Sequence, residues 1–176
     1  MYLGEYASRG RKVENALAEA LYLCDIERNG DVVSMTSYAP LLARDKRHNW
    51  NPDMIYFGNG YITLTPSYET QRLFSLYGGD TYVASSINAT DEVKHRTAAS
   101  VVTDSRTCKT YLKAVNALPV PLRLKVDGIS IPSTAKAEGF TGKPTDGSIT
   151  KLTDIKAIDG TLTLPPYSMI VTECAQ

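Results

Sequence analysis

Glu5 closes a short apolar run, Met1-Tyr2-Leu3-Gly4, and is followed by Tyr6 and Ala7. A strand that ends on a carboxylate is how a (β/α)8 barrel presents an acid, a base or a nucleophile to its substrate. The competing reading is a strand-end glutamate held in a salt bridge. A second cluster with chemical content is Arg47-His48-Asn49-Trp50-Asn51-Pro52-Asp53. Its indole could stack on a sugar face while His48, Asn49 or Asn51 supplies hydrogen bonds. The same Trp50 could instead bury its ring and only shape the loop. Tyr6 and Tyr38 could line such a site, although strand tyrosines are more often structural.

Other chemistries have less to work with. Cys24, Cys108 and Cys174 are odd in number and far apart, which suits neither a disulfide framework nor a zinc site. They are expected to be small buried hydrophobes. His48 and His95 are the only histidines, so a histidine metal centre or a Ser/His/Asp triad is not expected. Asp53, Asp80 and Asp91 lack the spacing of a calcium loop and read as turn residues. No metal and no cofactor is expected. Arg9, Arg11 and Lys12 read as a solvated loop.

The formal charge of +0 gives no basic excess with which to hold nucleic acid or an anionic membrane surface. No apolar run reaches the roughly 20 residues that span a bilayer. Neither nucleic acid nor membrane is expected as a partner. With 176 residues the chain can fill one domain, or one small domain plus a piece of another, but not a complete barrel of about 250.

These groups sit on a chain that changes character midway. Residues 1–7 read as a strand and residues 12–26 as a helix, with Val13, Leu17, Ala20, Leu21 and Cys24 on one face. Asn29-Gly30 stops that helix. Residues 31–39 read as a second strand, giving one βαβ unit. Residues 44–60 read as a polar, aromatic loop. Thr65-Pro66 then opens a second helix, with Thr65 as N-cap and Pro66 at the first turn, and Gly78-Gly79 ends it. From residue 80 onward short strands recur between turn signals: 81–85, 98–103, 110–116, 122–126, 161–164 and 168–173. Such a pattern predicts an antiparallel β-sandwich. Residues 139–147 read as a long turn.

In order, Gly4-Glu5-Tyr6-Ala7, residues 15–20, Glu27-Arg28-Asn29 with Asp31, and Ser37-Tyr38-Ala39-Pro40-Leu41-Leu42 form a recognisable set. It continues in Trp50 with Pro52-Asp53, Ile55-Tyr56-Phe57, Thr65-Pro66-Ser67-Tyr68 with Gln71, and Pro165-Pro166-Tyr167-Ser168. The set resembles the C-terminal part of the α-L-arabinofuranosidases of glycoside hydrolase family 51 and covers nearly the whole chain. That family joins a (β/α)8 barrel to a jelly-roll β-sandwich. It removes terminal α-L-arabinofuranosyl groups from plant polysaccharides with retention of configuration.

The resemblance implies a mixed fold: the last two β/α units of an incomplete (β/α)8 barrel in residues 1–79, then an antiparallel, jelly-roll-like sandwich in residues 80–176. Residues 1–7 would be the seventh barrel strand and residues 31–39 the eighth. The family's nucleophile would be Glu5, with Trp50, Asn51 and Tyr6 as substrate contacts. Its acid/base residue normally follows an asparagine on an earlier strand, and no Asn-Glu pair occurs here. The implied partners are an arabinose-containing polysaccharide or oligosaccharide and the absent N-terminal part of the barrel. Without that part the chain is expected to be inactive and to self-associate as a homo-oligomer through exposed strands. The alternative is a non-catalytic carbohydrate-binding or structural sandwich. A binding module has no need of a strand ending in Gly-Glu-Tyr-Ala, and Glu5 therefore separates the two.

Overall fold

The computed structural model describes residues 1–135, 137–153 and 155–175. It opens with β1 (Tyr2–Tyr6), α1 (Val13–Arg28) and β2 (Met35–Tyr38). β1 and β2 pair in parallel, side by side, with α1 as the crossover. The helix forms where Val13, Ala16, Leu17, Ala20, Leu23 and Cys24 recur at helical spacing and are buried together. Its first turn is capped from a distance. Val13 N–H donates to Asp146 O (2.9 Å) and Glu14 N–H to Pro144 O (3.0 Å). Those carbonyls satisfy donors that the helix itself cannot.

The stretch read as a loop holds three short strands, β3 (Leu42–Arg44), β4 (Ile55–Gly58) and β5 (Tyr61–Leu64), in one small sheet. They are three or four residues long and carry exposed apolar side chains. Hydrophobic patterning therefore gave no sign of them. α2 (Pro66–Leu76) follows as expected, with Thr65 Oγ1 accepting from Tyr68 N–H and donating to Met54 O.

The remainder comprises β6 (Thr81–Tyr82), the single turn α3 (Asp91–Lys94), β7 (Thr97–Asp104), β8 (Lys109–Asn116), β9 (Leu122–Lys125), β10 (Ala137–Thr141), β11 (Thr150–Leu152), β12 (Thr161–Leu164) and β13 (Ser168–Cys174). Six of these strands form an antiparallel sheet in the order β11-β10-β13-β8-β7-β6, and β9 pairs with β12 in a second layer. The expected sandwich is present, but the turn assigned to residues 139–147 begins inside β10. Gly139 is required there, because a Cβ would come within 2.1 Å of Met169 O on β13.

Each face of the six-stranded sheet has its own core. On one face Val102, Tyr111, Val115, Phe140, Met169 and Val171 pack against Leu17, Leu73 and Phe74 of the helices. On the other, Val101, Leu112, Ala114 and Ile170 pack against Leu162 and Leu164 of the second layer. Alternate residues of β8 and β13 serve opposite cores, so both strands are buried along nearly their whole length. Within the helix-facing core Lys113 is completely buried, and its Nζ lies 2.6 Å from Glu27 Oε1. Ser100 donates to the other oxygen of Glu27. Arg28 donates to Ser85 O (2.7 Å) and Ala99 O (3.3 Å). The end of α1 is thereby bolted to the sheet. Cys24 and Cys174 are buried as expected, and burial pushes the Cys24 thiol up to about 12. Cys108 is exposed, in the β7–β8 turn at φ 55°. Among the described residues no helix is long and apolar enough to cross a membrane.

Candidate active site

The position of Glu5 depends on a break in the β1–β2 register. Tyr2 pairs with Met35 and Leu3 with Thr36, and then Glu5, not Gly4, pairs with Ser37. One extra residue in a strand reverses the alternation beyond it, and such bulges often re-aim a side chain beside an active site. Here the extra residue is Gly4. Were the register regular through Gly4, Glu5 would share the face of Leu3. With the bulge Glu5 joins Tyr2, Met35 and Ser37 on the open face, where Tyr2 donates to Ser37 Oγ (2.9 Å). Glu5 is exposed, and among the described residues its side chain has no hydrogen-bond or ion-pair partner. The salt-bridge reading of this residue has no cation to support it.

Tyr6 turns the opposite way, into the layer between strands and helices. Its hydroxyl donates to Gln71 Oε1 on α2 (3.0 Å). Its ring stands edge-on to Tyr22 and Tyr38, with centroids 5.5 and 5.9 Å away. Burial pushes its phenol up to about 12.

Trp50 is 65% exposed at the tip of the segment between β3 and β4. Its carbonyl is held 2.6 Å from His48 Nδ1. His48 also lies 3.6 Å from Asp53 Oδ2 and edge-on to the Tyr56 ring. The centre of this segment is Tyr56, which is 2% exposed. Its hydroxyl accepts from Asp53 N–H (2.9 Å) and faces Asn51 Oδ1 (3.3 Å) and Asp53 Oδ2 (3.2 Å) as acceptors. Asp53 is therefore a buried brace, and the turn-residue reading of it understates its role. Arg11 Cζ lies 4.3 Å from the Tyr56 ring centroid, a cation–π contact. Arg11 was expected to be a solvated loop residue. It is exposed in a loop as expected, and it also joins the segment after β1 to the segment that carries Trp50. Tyr56 and Arg11 are named from the sequence, but neither is assigned a part in bracing this segment. An aromatic position within a polar segment was the available signal.

The other two aspartates do not join them. Asp80 accepts from the Ser105 backbone and hydroxyl, and Asp91 is paired with Lys94 at 2.6 Å. Among the described residues no three His, Cys, Asp or Glu side chains are grouped as a metal site would need. A separate groove of about 960 Å3, lined in part by Val83, Ile87, Leu112 and Leu124, lies between the sandwich layers. It is on the sheet face away from α1, and Glu5 takes no part in it.

The sequence model of the α-L-arabinofuranosidase C-terminal domain family matches residues 5–168. An extracellular exo-α-L-arabinofuranosidase of Streptomyces chartreusis is 43% identical over 93 residues, 53% of this chain and 11% of its own length. A probable α-L-arabinofuranosidase A of Aspergillus flavus is 30% identical over 184 residues, 96% of this chain and 28% of its own length. An arabinose-bound family 51 α-L-arabinofuranosidase superimposes with a TM-score of 0.83 and 26% identity, over 97% of this chain and 31% of that one. The chain thus spans less than a third of each of these proteins.

Proposed function

Because the chain belongs to the α-L-arabinofuranosidase C-terminal domain family, we propose that it is the C-terminal part of a retaining α-L-arabinofuranosidase and that Glu5 is its nucleophile. The observation that carries this reading is the bulge at Gly4. It turns the carboxylate at the end of a parallel strand away from the helices, to the side where a barrel interior would lie. Residues 1–79 are then the last two β/α units of the barrel, and residues 80–176 the sandwich. The substrate is a terminal arabinofuranosyl group on an arabinose-containing polysaccharide or oligosaccharide.

Retaining hydrolysis takes two carboxyl groups about 5–5.5 Å apart, one attacking the anomeric carbon and the other protonating the leaving group. Glu5 supplies the first. The second comes from the upstream barrel segment, together with most of the sugar-binding contacts. Trp50 and Asn51, on the segment between β3 and β4 that Tyr56, His48 and Asp53 brace, would supply sugar contacts from that side. Tyr6, facing the helices, supports the strand from behind. Positioning and paired proton transfer provide much of such a rate enhancement, and the chain alone is expected to be inactive. Tyr2 and Met35 are exposed on the open strand face, and both outer edges of the β1–β2 pair lack strand partners among the described residues. The isolated chain is therefore expected to self-associate, and a monomer in light scattering would count against that.

The test is release of 4-nitrophenol from its α-L-arabinofuranoside. The chain alone should be silent, and adding the upstream segment should restore turnover. Glu5→Gln in the restored enzyme should abolish it again. Turnover by the chain alone, or by the restored Glu5→Gln enzyme, refutes the proposal.

A further inference from the structure

Four buried side-chain polar atoms lack a hydrogen-bond partner among the described residues: Glu19 Oε2, Tyr38 OH, Ser67 Oγ and Gln71 Nε2. They are not scattered. Gln71 receives the Tyr6 hydroxyl, Tyr6 stacks edge-on to Tyr38, and Ser67 adjoins both Glu19 and Tyr38. Buried polar groups are nearly always satisfied, and a concentration of exceptions in one place calls for a cause.

Glu19 is the costliest member. It lies on the buried face of α1 at 3% exposure, where an apolar residue would pack without penalty. What a carboxyl offers there is one acceptor. Glu19 Oε1 receives the backbone N–H of Ser8 at 2.9 Å. Ser8 Oγ in turn accepts from Asn15 Nδ2 at 2.8 Å, and Tyr6 O accepts from Ala39 N–H at 3.3 Å. The segment that leaves β1 is therefore tied at Tyr6 and again at Ser8, while the Glu5 side chain has no described partner of its own and takes its direction from the backbone. A cavity of about 220 Å3, lined by Tyr6, Ala7, Ser8, Ala18, Glu19 and Tyr22, lies beside the second tie. It leaves room for this segment to shift if the tie is lost.

We propose that Glu19 is a positioning residue for Glu5, fixing through the Ser8 peptide the direction in which β1 ends and so the place of the carboxylate. The proposal rests on Glu5 being the nucleophile.

The experiment uses the enzyme complete with its upstream segment and 4-nitrophenyl α-L-arabinofuranoside. Glu19→Met keeps the volume and removes the acceptor. It should lower kcat by roughly 30-fold, as misplacement of a reacting group by under an ångström would, with KM within about twofold. Glu19→Gln retains an amide oxygen for the Ser8 N–H and should keep at least about a third of kcat. A folded Glu19→Met with wild-type kcat overturns the proposal, as does a Gln variant as impaired as the Met variant. Should Glu19→Met not fold, Glu19→Asp, one methylene shorter, should lose at least about tenfold in kcat, and no loss overturns the proposal. Glu5→Ala tests the underlying reading separately. It should be inactive and regain turnover when azide takes the place of the carboxylate at the anomeric carbon. An active Glu5→Ala removes both readings, whereas an inactive, azide-rescued Glu5→Ala beside a normal Glu19→Met removes only the second.

Discussion

Replacing Glu19 by glutamine should change how stability depends on pH, by an amount the structure sets. Burial is the main cause that pushes this carboxyl from 4.5 up to about 7, against the Ser8 N–H, which acts to lower it. The groups facing it from β1 and β2 are the phenols of Tyr6 and Tyr38, both pushed up by burial, and neither ionises below pH 9. The folded chain thus holds the Glu19 proton more tightly than the unfolded chain does. Stability from this group is fully present below about pH 4.5 and is lost as pH rises through 7. At about 1.4 kcal/mol per tenfold in proton affinity, the loss by pH 8.5 is about 3 kcal/mol. Glutamine stays neutral and suffers none of it. Urea unfolding followed by far-ultraviolet circular dichroism at pH 4.5 and 8.5 supplies the four free energies. Asp45, Asp80, Asp104 and Glu138 are held below the usual carboxylate range and lose stability in the opposite direction, as pH falls. They are common to both proteins and cancel in the difference. Glu19→Gln should gain about 3 kcal/mol on wild type between the two pH values. Parallel pH curves would refute the assignment of a buried, neutral Glu19.

Three further outcomes follow from the packing. Lys113→Met leaves Glu27 without its buried cation and should cost about 3 kcal/mol. Adding Glu27→Leu should recover at least about 1 kcal/mol of that in a double-mutant cycle, and strict additivity would show that the pair is uncoupled. Gly139→Ala places a Cβ against Met169 O and should lower stability by more than about 2 kcal/mol; an unchanged urea midpoint would mean that β10 and β13 do not approach so closely. Thr65→Ala removes the cap of α2 and should cost about 1 kcal/mol, while Thr65→Ser should retain most of it. Equal losses in calorimetry would assign the effect to the methyl group instead.

Much of this chain could be read from its residues, for reasons that differ from place to place. α1 announces itself because its buried positions recur at helical spacing, and α2 because Thr65-Pro66 can hardly begin anything else. Glu5 could be singled out because a carboxylate after an apolar run is unusual. The bulge that aims it could not be seen, since Gly4 leaves no mark of the register it breaks. β10 was hidden because its sequence, Ala137-Glu138-Gly139-Phe140-Thr141, contains a glycine that resembles a turn signal but serves a close backbone approach. β13 shows little alternation because both of its faces are buried. Glu19 passed as an ordinary helix glutamate. Its importance comes from Ser8, a partner in a different segment of the chain.

The shared core between α1 and the six-stranded sheet bears on how such proteins can be inherited. A binding module stitched onto a catalyst by a linker can be lost, duplicated or exchanged without harm to either piece. Here Val13, Leu17, Leu73 and Phe74 complete a hydrophobic layer that the sheet cannot close by itself, and Lys113 would be stranded without Glu27. A gene break near residue 79 would yield two products, each with a raw apolar wound. Separating the sheet from the two helices therefore exposes apolar surface on both sides, which disfavours exchange of the sandwich as an independent cassette.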